Sequence, residues 1–239
     1  MKQLKFKTIT KQQLADTVTP VGMYSKIRDK YANSLLLESS DYHSKEESYT
    51  FICIEPIVTL KADENKFYYS YKNNVIDVKE INREFYTIFQ NYSKTINVDC
   101  DESVKSFNGF YGYISYNSVQ YFETIKLKAT KAPSEIPDLQ FSFFRFIIAI
   151  NHFNDELTLI ENIEEGEKSR IQEIETLINS RTYGLYKYES VGKESSNCTD
   201  IEFKNNVTNA KKHCKRGDVF QLVLSRQFQQ KYKGDEFNV

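Results

Sequence analysis

Apolar positions recur along this chain with two different periods, and each period predicts a different kind of element. Val21, Tyr24, Ile27 and Tyr31 keep helical spacing with Pro20 just ahead, which predicts a first helix. Leu35, Leu36 and Leu37 then read as a short buried strand. Residues 49–54, 58–62 and 67–71 look like successive strands of a meander, with Glu64-Asn65 and Asn73-Asn74 as turns. Ile81, Phe85, Ile88, Phe89 and Tyr92 fall on one helical face, and residues 110–116 form an aromatic run bounded by Asn108-Gly109.

After Pro133 and Pro137, two long apolar runs, 139–150 and 156–163, are joined by His152-Phe153-Asn154-Asp155 and predict a hairpin. A helix follows over 167–180. Residues 191–199 are polar and without period, which predicts a surface connection between structural units. Beyond it, Phe203, Val207, Ala210 and Cys214 keep helical spacing up to a capping Gly217, and residues 219–228 read as a strand. One helix and one strand cannot bury both their faces alone, so this last unit is expected to be completed elsewhere. The elements add up to an α+β fold, mostly antiparallel sheets with flanking helices. No internal repeat or low-complexity tract points to a solenoid or linker.

Composition narrows the function classes. Among 239 residues, 40% are apolar and 14% aromatic, enough to build a sizeable core. Thirty-two Lys and Arg against 33 Asp and Glu leave a net charge of −1, so no global basic field draws in nucleic acid or an anionic membrane. The longest apolar stretch, 141–150, is interrupted by Ser142 and Arg145 and is far shorter than a bilayer span. The N-terminal residues carry charge without a following apolar region, unlike a secretory signal, and a cytoplasmic location is expected. Cys53, Cys100, Cys198 and Cys214 are scattered and read as free thiols; His43, His152 and His213 lack the spacing of metal ligands.

Four constellations are candidates for chemistry. At Leu36-Leu37-Glu38-Ser39 an apolar strand ends in a carboxylate and a hydroxyl, which at a pocket mouth could meet a ligand ammonium group. In the strand over 49–54, Tyr49, Phe51 and Cys53 alternate with Thr50, Ile52 and Ile54; pairing with residues 35–37 would bring Tyr49 near Glu38. Gly109 and Gly112 sit in an aromatic strand, where close backbone packing explains them better than phosphate binding. Gln221, flanked by apolar neighbours, is expected to carry its amide into a buried or pocket-lining environment, with Ser225 on the same face. No Ser-His-Asp, Cys-His, paired-carboxylate or nucleotide motif is present, and residue types alone define no reaction.

Taken in order, these segments resemble the anthranilate synthase component I family of chorismate-utilising enzymes. The run Leu36 to Ser39 looks like that family's feedback-inhibitor motif, and the pattern ending in Pro56 looks like the strand that follows it. Residues 108–123 resemble its glycine-rich segment, with Asn117 in place of Asp and Gln120 in place of Arg. Residues 136–144 resemble its IPD strand, and Gly217 to Arg226 the start of its chorismate-binding domain.

The resemblance covers the N-terminal half of such an enzyme. It implies a tryptophan-binding regulatory region over 1–190 and the beginning of a catalytic domain over 200–239. It implies an L-tryptophan site formed by Leu37, Glu38, Ser39 and Tyr49. It further implies conversion of chorismate and ammonia to anthranilate and pyruvate, with a glutamine amidotransferase subunit as partner and Mg2+ as cofactor, whose ligands are expected beyond Val239. At Gln221 the related isochorismate synthases place a lysine that deprotonates water. Ammonia already has its lone pair free, so the resemblance implies amination at this position, with Gln221 the one catalytic candidate. Aminodeoxychorismate synthase component I, of the folate pathway, and a non-catalytic amino-acid-binding regulatory module are the competing readings.

Overall fold

A computed structural model describes residues 3–39, 48–81, 85–125, 136–180, 184 and 186–238. In chain order the elements are β1 (Leu4–Leu14), α1 (Pro20–Ile27), β2 (Leu35–Glu38), β3 (Tyr49–Asp63), β4 (Lys66–Tyr71) and β5 (Asn74–Glu80). They continue with α2 (Phe85–Ser93), β6 (Ile96–Asp99), α3 (Glu102–Lys105), β7 (Phe110–Ile114), α4 (Val119–Phe122), β8 (Leu139–Asn151), β9 (Glu156–Glu164) and α5 (Ile171–Ile178). The last are β10 (Tyr188–Ser196), α6 (Asp200–Arg216) and β11 (Phe228–Gly234). Two compact units divide the chain, Met1–Gly184 and Leu185–Val239.

The first unit is built on one mixed but mainly antiparallel sheet in the order β5-β4-β3-β8-β9-β1-β6, with β2 added to β3 and β7 to β8. The fold class is therefore α+β with mostly antiparallel pairing, as the hydrophobic pattern predicts. The predicted hairpin is β8 and β9, and α1 starts where Pro20 places it, with the Thr19 side chain accepting from the Gly22 N–H. The two strands read over 49–54 and 58–62 are one, because the chain passes Pro56 in an irregularity of the ladder rather than a turn. β1 carries no strong apolar signal: Leu4 and Phe6 are buried, but apart from Ile9 and Leu14 the remaining positions are Lys, Thr and Gln.

One face of the central strands β3 and β8 is covered by helices. Ile52, Ile54, Phe146, Ile148 and Ile150 pack against Met23 and Ile27 of α1 and Ile174, Leu177 and Ile178 of α5. Val58, Leu60, Ala62, Leu139 and Phe143 pack against Phe85 and Tyr92 of α2 and Tyr121 of α4. On β8, strict alternation would put Phe146 and Phe143 on opposite faces. The strand avoids this at Arg145, which turns the same way as Phe146, its guanidinium meeting Glu161, the residue opposite Phe146 on β9. On β3, Glu55 takes a left-handed conformation with φ of 61°.

Charge holds this kink in place. Arg145 and Glu161 have side chains only 8% and 0% exposed, with Nη2 of Arg145 3.0 Å from Oε1 of Glu161. Arg145 also pairs with Glu167 at 2.8 Å and donates to the Lys168 carbonyl. Glu161 accepts in addition from the Ser169 hydroxyl and the Arg170 backbone N–H, and Arg170 pairs with Glu55 at 2.9 Å. Glu173, held below its usual carboxylate range by Arg170, accepts from Tyr31, whose phenol is pushed up to about 12 chiefly by burial. Strand kink, β9 and the start of α5 thus share one network.

The second unit contains β10 paired antiparallel with β11, and α6. α6 begins in a capping box, the Thr199 hydroxyl accepting from the Glu202 N–H and the Glu202 carboxylate from the Thr199 N–H, and ends at Gly217 with φ of 78°. Two expectations are corrected here. Residues 191–199, read as a connection, lie largely in β10, because a polar strand with both faces wet leaves no period to detect. Residues 219–227, read as a buried strand, carry no strand, and Phe220 and Val223 are exposed: the apolar run has no ladder or layer against it among the described residues.

Removing one partner of a buried ion pair leaves the other uncompensated. Arg145→Met is therefore expected to destabilise the first unit by about 3 to 5 kcal/mol, read from urea unfolding. A loss under about 1 kcal/mol would mean that the kink does not depend on this charge.

Candidate functional site

The face of the sheet away from the four helices carries the candidate site. β2 runs antiparallel to β3, with Leu35 opposite Cys53, Leu37 opposite Phe51 and Glu38 opposite Thr50. One step further the Ser39 N–H donates to the Tyr49 carbonyl at 3.2 Å. Residues opposite one another in a ladder share a face. Leu37 and Ser39 therefore accompany Phe51 and Tyr49, whereas Glu38 accompanies Thr50 on the helix-covered face, where the Thr50 hydroxyl lies 2.7 Å from His152 Nε2. Pairing brings Tyr49 within one ladder step of Glu38, as expected, but the two-residue period puts the two side chains on opposite faces. Both Glu38 and Ser39 are exposed.

The wall around Ser39 is aromatic. Tyr49 stacks on Phe51 with ring centroids 5.9 Å apart, and Phe107 leans on both, at 5.1 and 5.9 Å. Phe51 in turn meets Tyr111 at 5.3 Å. Tyr49 is oriented from β8: Asn151, directly opposite, donates its amide to the Tyr49 hydroxyl at 3.0 Å and accepts from the Phe153 N–H at 2.8 Å. The phenol oxygen is thus engaged by Asn151, and the ring by Phe51 and Phe107. Such a wall suits an aromatic side chain, and the Ser39 hydroxyl suits a polar group attached to it.

Asn151 and Phe107 were not singled out in the sequence. Asn151 follows from extending the 49–54 and 139–150 pairing by one residue. Phe107 has no signal of its own, because it reaches the wall from the connection between α3 and β7. Cys53, behind the wall, is fully buried, and burial pushes its thiol far up, so it is an inert packing residue. All four cysteines are free thiols.

Gly112 has a packing role. A Cβ there would lie 1.9 Å from the Gln140 carbonyl oxygen, so β7 can approach β8 only without a side chain. Gln221 belongs to the other compact unit and is exposed rather than buried, so its amide needs no protein partner. Among the described residues no three His, Cys, Asp or Glu side chains are placed to hold a metal ion, and no helix is long and apolar enough to cross a membrane.

The mainly antiparallel sheet of the first unit is followed by a separate unit of β10, α6 and β11. Residues 34–239 match the chorismate binding enzyme family, and the chain belongs to it. It is 27% identical to anthranilate synthase alpha subunit 1 of Arabidopsis thaliana, over 94% of this chain and 43% of that protein. It is 25% identical to anthranilate synthase component 1 of Aquifex aeolicus, over 95% of this chain and 48% of that protein. The corresponding protein of Methanothermobacter thermautotrophicus is 28% identical, over 90% and 43%. The crystal structure of anthranilate synthase component I from Streptococcus pneumoniae shares the fold, with a TM-score of 0.53 and 16% identity over 95% of this chain and 50% of that one. The chain spans slightly less than half the length of the curated relatives it matches.

Proposed function

We propose that this chain corresponds to the regulatory region and the opening of the catalytic domain of an anthranilate synthase component I. The observation that carries the reading is the match to the chorismate binding family over 34–239, together with relatives named anthranilate synthase. In this reading the whole protein, in the cytoplasm, takes chorismate and ammonia to anthranilate and pyruvate. A glutamine amidotransferase subunit supplies the ammonia, and Mg2+ assists at ligands outside the described residues, where it would counter the negative charge of the substrate carboxylates. Gln221 is the residue of this chain set beside the reacting carbon, where a neutral amide admits ammonia without serving as a base for water.

The aromatic wall is the effector site. Bound L-tryptophan lays its indole against Tyr49, Phe51 and Leu37, and its polar end meets the Ser39 hydroxyl. Glu38 follows from the opposite face, so its carboxylate reaches the effector's ammonium only around the end of β2. Occupancy of this wall is what restrains the catalytic unit.

Product analysis of the full-length protein supplied with chorismate and ammonium tests the activity: anthranilate is expected, and aminodeoxychorismate or isochorismate without anthranilate would contradict it. The effector site is tested separately. The chain contains no Trp, so the ligand's own indole emission reports binding. Ser39→Ala is expected to weaken L-tryptophan binding by about 1 to 3 kcal/mol, and unchanged affinity would remove Ser39 from the site.

A further inference from the structure

The open face of the sheet carries a second concavity, towards the other end of β3, which the effector reading does not use. Its volume is about 440 Å³, the size of a small-metabolite pocket. The ladders set its floor in two rows. Ser70, Thr59, Ser142 and Tyr111 stand in register across β4, β3, β8 and β7, and Tyr68, Lys61, Gln140 and Tyr113 form the next row. Leu35, Pro56 and Phe144 make an apolar wall, and Asn33 and Asn73, both in left-handed conformations, stand at the rim.

Some polar groups of this floor are satisfied within the protein, the Tyr111 and Tyr113 hydroxyls donating to the Phe107 and Pro137 carbonyls, and others are not. The opposite side of the same strands is packed with Val58, Leu60, Ala62 and Leu139, so a solvent-facing row had no structural need to be concave or hydroxyl-lined. Thr59 and Ser142 hold each other at 2.8 Å, whereas Ser70 and Gln140 make no side-chain hydrogen bond among the described residues. Lys61 lines the cavity and has no carboxylate partner among the described residues; its ammonium rests 4.4 Å above the ring of Tyr68, its neighbour on β4. No Asp or Glu lines the cavity. An unpaired cation beside hydroxyls and a primary amide, with an apolar wall opposite, recognises a compact anion that also carries hydroxyl groups.

We propose that this cavity is a binding site for a small hydroxylated oxyanion, a carboxylate or a phosphate ester, whose charge is taken by Lys61 and whose hydroxyls are taken by Ser70, Gln140 and the Thr59–Ser142 pair. The site is separate from the Ser39–Tyr49 wall, and neither reading depends on the other.

Backbone amide NMR of the 15N-labelled chain, titrated in parallel with D-gluconate and sn-glycerol 3-phosphate and with glucose and glycerol as neutral counterparts, tests it. At least one acid is expected to give saturable shifts confined to Thr59, Ser70, Gln140, Ser142 and their neighbours, and which acid does so identifies the carboxylate or the phosphate class. Lys61→Met is expected to weaken that binding at least tenfold, and Lys61→Arg to restore part of it. Absence of saturable shifts with both acids, equal binding of the neutral compounds, or unchanged affinity in Lys61→Met would each overturn the assignment. L-Tryptophan titrated into the same sample reports the other site independently, through the amides of Leu37, Ser39 and Tyr49.

Discussion

The buried pair Arg145–Glu161 is the interaction on which the geometry of the first unit depends. A β-strand of uniform pleat presents alternate residues to alternate faces, so β8 could not send both Phe146 and Phe143 towards helices on one side. Arg145 breaks the alternation, and the break is affordable only because its guanidinium meets a carboxylate that is itself fully buried and further satisfied by Ser169 and the Arg170 N–H. Glu55 does the same for β3, its left-handed backbone tied through Arg170. One face of β3 and β8 thereby stays apolar beneath α1, α5, α2 and α4, while the other buries Cys53, Phe144 and Ile147 against Val104 of α3, with Tyr49 at one side of that cluster and Lys61 at the other.

The face of β3 away from those helices presents two regions of different character on either side of the buried cluster around Cys53 and Ile147. Near Ser39 it is an aromatic wall whose key ring is steered by Asn151 from the neighbouring strand. Towards β7 it is a hydroxyl-lined hollow with one unpaired ammonium. Both are made by residues standing between core positions on the same strands, so packing on the helix side fixes their spacing. Ligand contacts on such a platform are rigid by construction: displacing Tyr49 or Thr59 means moving the strand that also carries Ile52 or Leu60.

Hydrophobic period was enough to find the β8–β9 hairpin, α1 and the antiparallel character of the sheet, because these elements bury long runs of Ile, Leu and Phe. It failed for β1, where Lys, Thr and Gln occupy most positions, and for β10, which has no buried face at all. It over-reached at 219–227, where apolar residues without a partner layer form no strand. That Leu37 and Tyr49 lie on adjoining strands was legible from the apolar runs; that Glu38 stands on the other face of β2 was not, because it follows from the register, Glu38 lying opposite Thr50. The kink at Glu55 and Arg145 left no trace in the local pattern, since it exists only through partners 16 to 115 positions away along the chain.

Native-state hydrogen exchange of the first unit, followed residue by residue as denaturant is raised, tests most directly whether the kink joins the two halves of the sheet into one structure. The amides of Ile52, Ile54, Ile148 and Ile150 and those of Leu60, Ala62, Phe141 and Phe143 are expected to merge into a single opening with the free energy of global unfolding. Separate openings for the two groups, with the half carrying Leu60 and Phe143 exchanging at a distinctly lower free energy, would contradict the account and show that the kink is a hinge between independent pieces.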